Sequence, residues 1–460
     1  MRYDFKNKKV AVVGLARSGM AAVHLLHSLE ADVYATDSGD SEDLRKNEEV
    51  LKSNGIKVEI KEHTPEFIKD KDLIVISPGI PDTSPVVIWA IEYGIPIISE
   101  IELGYLCCDV PIVAITGTNG KSTVTTLIGE ILKKGGKDVV VCGNLGNPFC
   151  GELPNIKSDS IVVLEVSSFQ LERIKEFKPY VSVLLNISQN HFDRHPDLNS
   201  YINAKAQIFR NQDDNDWTIL NYDDELLREF KGKTKAVLLY FSRKRKVVGA
   251  YLDSDQMIIS ANGTERTLCD ISELKIKGGH NVENALASLC VAAIFGINPQ
   301  HITDAVKDFK GLERRYEYVT SIDNIDFIND SKSTTVLSTM RALEACDRPV
   351  ILIVGGKDKG SDFRKARSML ASKVKSAVLI GTSKGKIKED LRGVIPITEA
   401  NSMEEAVKIA YFNAVEGDCV LLSPMCASFD MFRNFEDRGR IFKEVVFRIK
   451  NGYLNNARGS

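Results

Sequence analysis

Short apolar runs alternate with segments of helical periodicity along the first hundred residues of the chain. The segment KKVAVVGLARSGMAAVHLLHSLEADVYATDSGD predicts a strand, a glycine turn, a helix and a second strand that ends at Asp37. Two further runs, DLIVISPGIP and IPIISE, predict strands of four to six residues because they are rich in Ile and Val. The alternation predicts a small parallel sheet covered by helices over residues 1–102.

The pattern continues, with one interruption, through residues 103–311. SIVVLEVSSFQLE and YVSVLLNIS predict buried strands, and GGHNVENALASLCVAAIFG predicts a helix that stops at Gly296. Between these segments, around residues 231–276, short β-like runs are broken by polar turns. We interpret these runs as a small β insertion in a central domain.

A third series of strands follows in residues 312–460, where PVILIVGG, SAVLIG and DCVLLSP are separated by helical stretches. A chain of 460 residues is too long for one hydrophobic core. We therefore predict an α/β protein of three domains. The first and third are Rossmann-like, and the central one is a P-loop ATPase-like domain with a parallel or mixed sheet.

Composition narrows the class of protein without identifying it. The net charge of −3 provides no general attraction to nucleic acid or to an anionic membrane. No apolar run approaches the ~18 residues of a membrane span, and the charged start MRYDFKNKKV has no export signal. The nine cysteines include no C-x-x-C pair and are expected to be reduced core thiols. We expect a cytoplasmic monomer without membrane insertion or a nucleic-acid partner.

Residues 113–132, VAITGTNGKSTVTTLIGEIL, have the outline of a phosphate-binding loop between a strand and a helix. The standard pattern G-x-x-x-x-G-K-[ST] requires glycine at the position of Ile115, whereas the first glycine here is Gly117. The loop is therefore two residues shorter than usual. We expect its backbone N–H groups to hold a polyphosphate, Lys121 to add positive charge and Ser122 to bind magnesium.

Three more side chains near this loop are candidate ligands of magnesium. Glu165 closes the strand IVVLE, His191 follows a strand end in NISQNHFDRH, and Lys205 lies in NAKAQIF. A carboxylate at the end of a neighbouring strand can hold the magnesium that bridges phosphates. A lysine with a lowered pKa can react with carbon dioxide as a neutral amine. From the residues alone, a lone strand-end Glu is often a solvated acid, and His195 and Lys205 would more often be surface groups.

The first glycine turn, Gly14 to Gly19, resembles a dinucleotide-binding fingerprint but lacks its middle glycine. A helix N-terminus after Gly14 can still hold a phosphate, and Asp37 is placed to accept hydrogen bonds from a sugar or base. The alternative is a packing unit without a ligand. A redox dinucleotide is disfavoured.

Polar loops of the third domain follow predicted strands, where α/β proteins bind ligands. NDSKSTT contains Asp330 and Lys332, GGKDKGSDF contains Lys357 and Lys359, and SPMCASFDMFRNFEDRG contains Ser428 and Phe435. Each cluster alone is compatible with an ordinary polar loop.

Seven motifs occur in one order: TGTNGKST, EVSSFQLE, NHFDRH, GGHNVEN, GLERRYE, NDSKST and SPMCASFDMFRNFEDRG. In this order and over essentially the whole chain, the sequence resembles the Mur ligase family. The last motif is similar to that of the members that add D-glutamate. The resemblance implies an ATP-dependent ligase that activates the alanyl carboxylate of UDP-N-acetylmuramoyl-L-alanine as an acyl phosphate. The amine of D-glutamate then attacks this acyl phosphate, a step of peptidoglycan precursor synthesis.

The resemblance also implies a role for individual residues. It implies catalytic roles for Lys121, Glu165, His191, Lys205 and Lys332. ATP would be bound by Gly117, Thr118, Asn119, Gly120, Lys121, Ser122, Thr123, Asn284 at the adenine, Arg315 at the phosphates and Asp330 at the ribose. Two Mg²⁺ sites would use Ser122, Glu165, His191 and a carbamylated Lys205. D-glutamate or its reaction centre would be surrounded by Lys332, Thr334, Lys359, Ser428 and Phe435. The UDP-sugar would be lined by Leu15, Ala16, Arg17, Asp37, Ser38, Ser77, Gly79 and Asn144.

The chain departs from the family pattern at two positions. Asn190 replaces the acidic residue that usually precedes the motif histidine, and Thr335 stands where Asn is frequent. The first change affects the support of His191; neither removes a proposed ligand.

Three alternative functions remain open. A folylpolyglutamate synthetase-like ligase shares the short loop, but about 110 residues precede that loop here. A Mur ligase that adds diaminopimelate or lysine usually contains DNPR, which this chain lacks. An ATP-binding regulator that is not a ligase would need no amino acid.

Overall fold

The structure is a computed structural model that describes residues 3–188, 197–261, 263–358 and 360–452. The chain divides into two compact units, Met1–Leu274 with His280–Asp308 and Lys275–Gly279 with Phe309–Ser460. The described residues form three β-sheets, two in the first unit and one in the second. The architecture is therefore the predicted three-domain α/β fold. The domain boundaries after residues 102 and 311 stay predictions.

The first sheet is parallel throughout, with strand order β3-β2-β1-β4-β5. Its strands are β1 (Lys9–Val13), β2 (Asp32–Asp37), β3 (Lys57–Ile60), β4 (Leu73–Ile76) and β5 (Ile97–Ser99). Its helices are α1 (Arg17–Ser28), α2 (Glu42–Ser53), α3 (Pro65–Ile68), α4 (Pro85–Glu92) and α5 (Glu100–Leu106). The predicted strands are confirmed, although β5 has only three residues.

Strand β1 shows why the strands of this sheet have continuous apolar sequences. Val10 and Val12 pack in one hydrophobic cluster with Leu26, whereas Ala11 and Val13 pack in another on the opposite face. A parallel strand covered by helices on both faces needs apolar residues at every position.

The second sheet has nine strands in the order β14-β13-β12-β11-β10-β9-β6-β8-β7. They are β6 (Ile112–Thr116), β7 (Asp138–Gly143), β8 (Ser160–Glu165), β9 (Val181–Leu184), β10 (Trp217–Asn221), β11 (Val237–Ser242), β12 (Gly249–Asp253), β13 (Gln256–Ala261) and β14 (Thr264–Asp270). The helices are α6 (Lys121–Lys134), α7 (Phe149–Glu152), α8 (Ser168–Leu171), α9 (Leu198–Ala206), α10 (Glu225–Arg228), α11 (Gly279–Ile294) and α12 (Pro299–Asp308).

The β insertion predicted around residues 231–276 corresponds to β11 to β14. These strands extend the edge of the central sheet instead of forming a sheet of their own. Strand β12 pairs parallel to β11, and the two strands after it are antiparallel. The sheet is mixed only at this edge. The remaining pairings, including those of β6 with β8 and β9, are parallel.

The third sheet has the order β15-β16-β20-β17-β18-β19 and is parallel except between β15 and β16. The strands are β15 (Glu317–Ile322), β16 (Ile325–Asn329), β17 (Val350–Gly355), β18 (Val374–Ile380), β19 (Ile397–Glu399) and β20 (Cys419–Leu422). The helices are α13 (Val336–Glu344), α14 (Arg367–Lys373), α15 (Lys384–Asp390), α16 (Met403–Asn413) and α17 (Phe435–Lys450). Alternate residues of β17 face two different hydrophobic clusters, so this sheet also has both faces buried.

Five short 3-10 helices complete the described secondary structure: Leu153–Asn155, Gln207–Phe209, Glu229–Gly232, Ile271–Glu273 and Phe363–Ala366. None of the described helices is both long and apolar enough to cross a membrane.

Candidate active site

The short glycine loop connects β6 to α6 at the carboxyl edge of the central sheet. Gly120 is the N-cap of α6 and has a left-handed backbone, with φ of 86°. A Cβ atom at this position would overlap Oδ1 of Asn284. Both the conformation and the close approach therefore require glycine. The loop presents the N-terminus of a 14-residue helix, which favours anions.

The segment after β9 holds the loop in place. The backbone N–H of Asn119 donates to Oδ1 of Asn186 at 2.9 Å, and Nδ2 of Asn186 donates to the Asn119 carbonyl at 3.1 Å. The Thr118 N–H donates to the Asn186 carbonyl at 2.9 Å. The Thr118 hydroxyl accepts a bond from the Ser188 N–H at 3.0 Å. Asn186 was not among the predicted site residues. Its place in the predicted strand YVSVLLNIS, as the first polar residue after the apolar pair Leu184 and Leu185, is the signal that the sequence contains.

Two lysine side chains converge on one carbonyl oxygen of the loop. Nζ of Lys121 donates to the Gly117 carbonyl at 2.9 Å, and Nζ of Lys205 donates to the same carbonyl at 3.0 Å. Lys205 also donates to Oγ1 of Thr116 at 3.3 Å. Only 1% of Lys205 is exposed, so this lysine is not a surface group.

Burial and charge favour the neutral amine of Lys205. Loss of solvent lowers its pKa well below the usual value, and the nearby Lys121 charge lowers it further, whereas Glu165 opposes both effects. Among the residues that the structure describes, no carboxylate lies within salt-bridge distance of this ammonium group. The Lys121 charge and the N-terminus of α6 therefore suit the site to an anionic ligand.

Glu165 ends β8, directly beside β6, where it pairs in register with Ile115. Its side chain is 2% exposed, and Oε1 accepts a hydrogen bond from Nδ2 of Asn144 at 2.8 Å. Its other oxygen, Oε2, is buried and has no hydrogen-bond partner among the described residues. A buried carboxylate oxygen without a donor is a poor arrangement for the apo protein but suits a bound cation.

The donor set around the loop fits magnesium. Ser122 is buried in the first turn of α6, and Glu165 has the open oxygen. His191 and the preceding Asn190 lie outside the described residues, as does His195. Within the described ranges, no group of three or more His, Cys, Asp or Glu side chains could hold a metal ion. Among the described residues, the candidate magnesium ligands are therefore the oxygen atoms of Ser122 and Glu165, together with Lys205.

Asn284, the predicted adenine contact, lies in α11 against the loop. Its side chain is buried, and its Nδ2 donates to Oδ1 of Asn281 at 3.1 Å. Thr123 is buried in the first turn of α6, next to Ser122. The structure thus brings the loop residues, Asn284, Glu165 and Lys205 together.

The first glycine turn is organised around Asp37 at the end of β2. Oδ2 of Asp37 accepts from the Leu15 N–H at 2.7 Å, and Oδ1 accepts from the Gly39 N–H at 2.8 Å. The Ser77 hydroxyl donates to the Gly14 carbonyl at 2.8 Å. The first glycine turn thus contains a carboxylate, whereas the phosphate loop contains lysine side chains.

The predicted UDP-sugar residues lie at the ends of four strands of the first unit, β1, β2, β4 and β7. Leu15 is fully buried, so only its backbone faces the turn, whereas Ala16, Arg17, Ser38 and Gly79 are exposed. The Arg17 guanidinium donates to the Gly146 carbonyl in the loop after β7. Asn144 lies in the same loop and contacts Glu165. The Arg17 contact therefore joins the first turn to the loop that contacts Glu165.

In the second unit, Asp330 follows β16 and is 4% exposed. Its Oδ1 accepts from the Tyr316 N–H at 3.1 Å, and its Oδ2 accepts from the Ser423 hydroxyl at 2.8 Å. Burial raises the pKa of Asp330 to about 6, against the opposing effect of hydrogen bonds from Ser333 and Ser423. Arg315 is half-buried beside this turn.

The predicted amino-acid site residues of the second unit lie on neighbouring loops. Nζ of Lys332 lies 5.2 Å from the centre of the Phe435 ring. Phe435 opens α17, and its carbonyl accepts from the Ser331 hydroxyl at 2.9 Å. Ser428 is buried, and Thr334 is half-buried. Lys359 lies outside the described residues.

A glycine loop before a helix, with a lysine and a buried carboxylate beside it, defines a nucleoside triphosphate site in an α/β protein. Sequence profiles identify the family. The profile of the Mur ligase MurD-like N-terminal domain matches residues 8–99, that of the Mur ligase middle domain residues 115–292, and that of the Mur ligase glutamate ligase domain residues 314–426.

Related proteins agree with these profiles. UDP-N-acetylmuramoylalanine--D-glutamate ligase of Thermoanaerobacter sp. (strain X514) is 44% identical over 97% of this chain and 100% of its own length. The protein of the same name from Clostridioides difficile (strain 630) is 42% identical, with the same coverage of both chains. The chain therefore belongs to the Mur ligase family and is an enzyme of the ligase class.

Solved structures share the fold at low sequence identity. UDP-N-acetylmuramate-alanine ligase MurC from Thermotoga maritima has a TM-score of 0.61 at 21% identity, covering 97% of this chain and 100% of its own. A pseudomurein peptide ligase type C from Methanothermus fervidus has a TM-score of 0.60 at 20% identity, covering 96% and 100%. MurF ligase from Thermotoga maritima, solved in complex with ADP, has a TM-score of 0.59 at 14% identity, covering 96% of each chain.

Proposed function

We propose that the chain is an ATP-dependent ligase that joins D-glutamate to the L-alanyl carboxylate of UDP-N-acetylmuramoyl-L-alanine. The product is a peptidoglycan precursor, and we place the reaction in the cytoplasm and assign it to a monomer. The observation that carries the proposal is the convergence of Lys121 and Lys205 on the Gly117 carbonyl, beside the buried Glu165. The names of the 40–44% identical relatives support the choice of D-glutamate.

The chemistry requires an activated carboxylate, because a carboxylate ion is a poor electrophile for an amine. The alanyl carboxylate oxygen attacks the γ-phosphorus of ATP, and the bond from that phosphorus to the β,γ-bridging oxygen breaks to release ADP. The D-glutamate amine then attacks the acyl phosphate carbon, loses a proton and expels inorganic phosphate. The task of the protein is to align these groups and to stabilise the negative charge that develops.

The phosphate loop and its lysines supply that stabilisation in our proposal. The N-terminus of α6 receives the polyphosphate, and Lys121 exchanges its bonds to the loop carbonyls for bonds to phosphate oxygens. Ser122 and Glu165 would hold magnesium, which supplies Lewis-acid neutralisation of the phosphate charge when it is bound. In the second unit, Asp330 would contact the ribose and Arg315 the phosphates.

We further propose that Lys205 is carbamylated and, with His191, holds a second magnesium ion. The buried neutral amine adds carbon dioxide and releases a proton, which converts a potential cation into an anion. The lowered pKa and the absence of a contacting carboxylate among the described residues both support this change. A carbamate would also relieve the repulsion between Lys205 and Lys121.

The UDP-sugar is proposed to bind at the first glycine turn. Asp37 is anchored there by two backbone N–H groups, which leaves further lone pairs for ribose or uracil donors. Ser38, Arg17 and Gly79 are exposed at the same turn. The match of residues 8–99 to a MurD-like N-terminal domain supports this assignment over a folate ligase.

Phosphate release from ATP in the presence of magnesium and UDP-N-acetylmuramoyl-L-alanine tests the proposal. Three parallel reactions contain D-glutamate, L-glutamate or no amino acid. We expect sustained release with D-glutamate only. Equal release in all three reactions would indicate an ATP-binding regulator instead, and release that requires a folate and L-glutamate would indicate a folylpolyglutamate synthetase-like enzyme.

A further inference from the structure

The largest fully buried side chain of the described residues is a cation, Arg438, in the first turn of α17. Its Nε donates to the Ser331 hydroxyl at 3.0 Å, and its Nη2 donates to the Ser331 carbonyl at 2.8 Å. Its Nη1 donates to the carbonyls of Cys426 and Ala427 at 3.1 and 3.3 Å. Four of the five guanidinium donors are thus used on the backbone and one hydroxyl group.

This guanidinium group has no carboxylate in salt-bridge contact among the residues that the structure describes. Asp330 and Asp430 act on it only from a greater distance. Burial lowers the pKa of Arg438 to about 10, which leaves the side chain charged at neutral pH. A buried charge without a contacting counter-ion is costly for folding, so its presence needs an explanation beyond packing.

The groups that Arg438 binds connect the loops predicted to surround the amino acid. Ser331 precedes Lys332 and donates its hydroxyl hydrogen to the Phe435 carbonyl. Cys426 and Ala427 precede Ser428, and Ala427 exchanges two backbone hydrogen bonds with Lys357, at 2.9 and 3.1 Å. One cation therefore links the segments that contain Lys332, Lys357, Ser428 and Phe435.

Gly356 lies close to the guanidinium group. A Cβ atom at Gly356 would overlap the Ala427 carbonyl and approach Nη1 of Arg438 to 3.2 Å. Its φ of 140° also disfavours other residues. The close packing therefore requires glycine at position 356 beside Arg438.

We propose that Arg438 is a positioning residue for a dicarboxylic amino acid, which it serves by aligning these loops and by providing a buried positive charge behind them. The inference rests on the proposed function, because it takes the amino acid to be D-glutamate. The two carboxylates of D-glutamate bring the negative charge that the surroundings of the Arg438 guanidinium group lack. Ser428 and Lys332 are the groups in contact with the substrate, and Arg438 acts through them.

Steady-state kinetics of Arg438→Met and Arg438→Lys test this role, with Arg440→Met as the matched control. Arg440 lies on the same helix but is exposed and paired with Asp437 and Glu444. We expect Arg438→Met to raise the KM for D-glutamate at least ~10-fold, because hydrogen bonds to charged groups are lost. The KM for the UDP-sugar, whose proposed site lies in the first unit, should stay within about twofold. Arg438→Lys should restore part of the loss, and Arg440→Met should behave like the wild type.

Equal effects on the KM values of all three substrates, or a lower kcat alone with an unchanged KM for D-glutamate, would overturn the inference. If Arg438→Met does not fold, Ser331→Ala removes the hydroxyl acceptor of Nε with a smaller change of volume. This variant should raise the KM for D-glutamate in the same direction. An unchanged value in a folded Ser331→Ala protein would also overturn the inference.

A thermal-shift series distinguishes failure of the inference from failure of the proposed function. D-glutamate, L-glutamate and D-glutamine are added to the wild type and to Arg438→Lys, and the rise in unfolding midpoint is measured. A rise with dicarboxylic amino acids that is smaller in Arg438→Lys, without any phosphate release, would refute the ligase but support Arg438. D-glutamate-dependent phosphate release with an unchanged KM in Arg438→Met would refute only the inference. No response to any amino acid in either assay would refute both.

Discussion

Two strand–turn–helix units of the first structural unit begin with the same local pattern but differ in the charge at the turn. In the turn after β1, the carboxylate of Asp37 binds the Leu15 N–H at 2.7 Å. In the turn after β6, two lysine side chains lie at one carbonyl oxygen, with Nζ of Lys121 and of Lys205 at 2.9 and 3.0 Å from it. A carboxylate at a turn selects hydroxyl and N–H donors of a ligand, whereas a lysine charge at a helix N-terminus selects phosphate.

This difference would allow two related turns to bind different substrates of one reaction. The first turn would hold a sugar nucleotide by hydrogen bonds, and the second would hold the triphosphate by charge. The middle glycine of a dinucleotide fingerprint is absent from the first turn, and the second is shortened by two residues. Side chains from neighbouring strands, not the glycine pattern alone, decide the ligand.

The largest expected effect comes from Lys121→Ala, which removes a cation from the phosphate turn. We expect kcat/KM for phosphate release to fall by about 10³-fold, as for the loss of a preorganised charge at a transition state. Lys134→Ala is the control, because Lys134 lies on the same helix in an exposed pair with Asp308. Unchanged thermal unfolding would locate the loss in chemistry, and a decrease of less than about tenfold would contradict the assigned role.

Lys205→Ala should be the next largest loss, about 10²-fold, since it removes the proposed carbamate ligand of magnesium. Added acetate or bicarbonate should restore part of the activity. Full activity of the plain variant would exclude a carbamate bridge.

The pH dependence of carbamate formation sharpens this test. Only the deprotonated amine adds carbon dioxide, and burial lowers the pKa of Lys205 in the folded protein. As the pH rises through this lowered pKa, ¹³C-labelled bicarbonate should give a carbamate NMR signal in the wild type. The signal should be absent from Lys205→Ala at every pH. A wild-type spectrum without the signal, in fully active protein, would contradict carbamylation.

A smaller effect is expected at the first turn. Asp37→Ala should raise the KM for the UDP-sugar about tenfold, because a charged hydrogen-bond acceptor is lost. The KM for ATP should not change. Asp40→Ala is the control, since Asp40 is three residues away and paired with exposed Arg45. An equal rise in both KM values would remove the distinction between the two turns.

The smallest expected effect concerns stability and involves Glu100, the first residue of α5. Its Oε1 accepts from the Cys150 N–H at 2.7 Å, and its Oε2 is buried with no hydrogen-bond partner in the part of the chain that the structure describes. Burial raises the pKa of Glu100 to about 7. The folded protein therefore binds this proton more tightly than the unfolded chain, and the resulting stability, complete at low pH, is lost as the pH rises through 7.

Glu100→Gln should remove this dependence. The free energy of unfolding of the variant minus that of the wild type should increase by on the order of 1–3 kcal/mol when the pH is raised from 5 to 8. Glu102→Gln is the matched control, because both Glu102 oxygens already accept backbone N–H groups of Glu176 and Phe177. Chemical denaturation at several pH values measures the difference. Parallel curves for the wild type and Glu100→Gln would contradict the raised pKa.

Local patterns were sufficient to predict both turns and most strands. The runs around Val10 and Val113 are apolar at every position because both faces of their sheets are buried. The tight turn at Gly120 was predictable from its glycine, because the φ of 86° and the close approach of Asn284 permit only glycine there. These signals lie within a few residues of the feature that they specify.

Features that depend on contacts distant in sequence were not predictable in the same way. Asn186 reaches the loop across 67 residues, and the burial of Lys205 depends on a contact 88 residues away. Arg438 lies in a quoted motif, but its role depends on Ser331, 107 residues earlier. The edge position of β12 to β14 depends on sheet pairing, which local periodicity does not encode.

The central claim is that the alanyl carboxylate takes up the γ-phosphoryl group of ATP before the amine attacks. Its most direct test uses UDP-N-acetylmuramoyl-L-alanine with ¹⁸O in both oxygens of the alanyl carboxylate, followed by mass analysis of the inorganic phosphate. An acyl phosphate places one labelled oxygen in each phosphate released in the presence of D-glutamate. Phosphate without ¹⁸O, formed together with the amide product, would contradict the account.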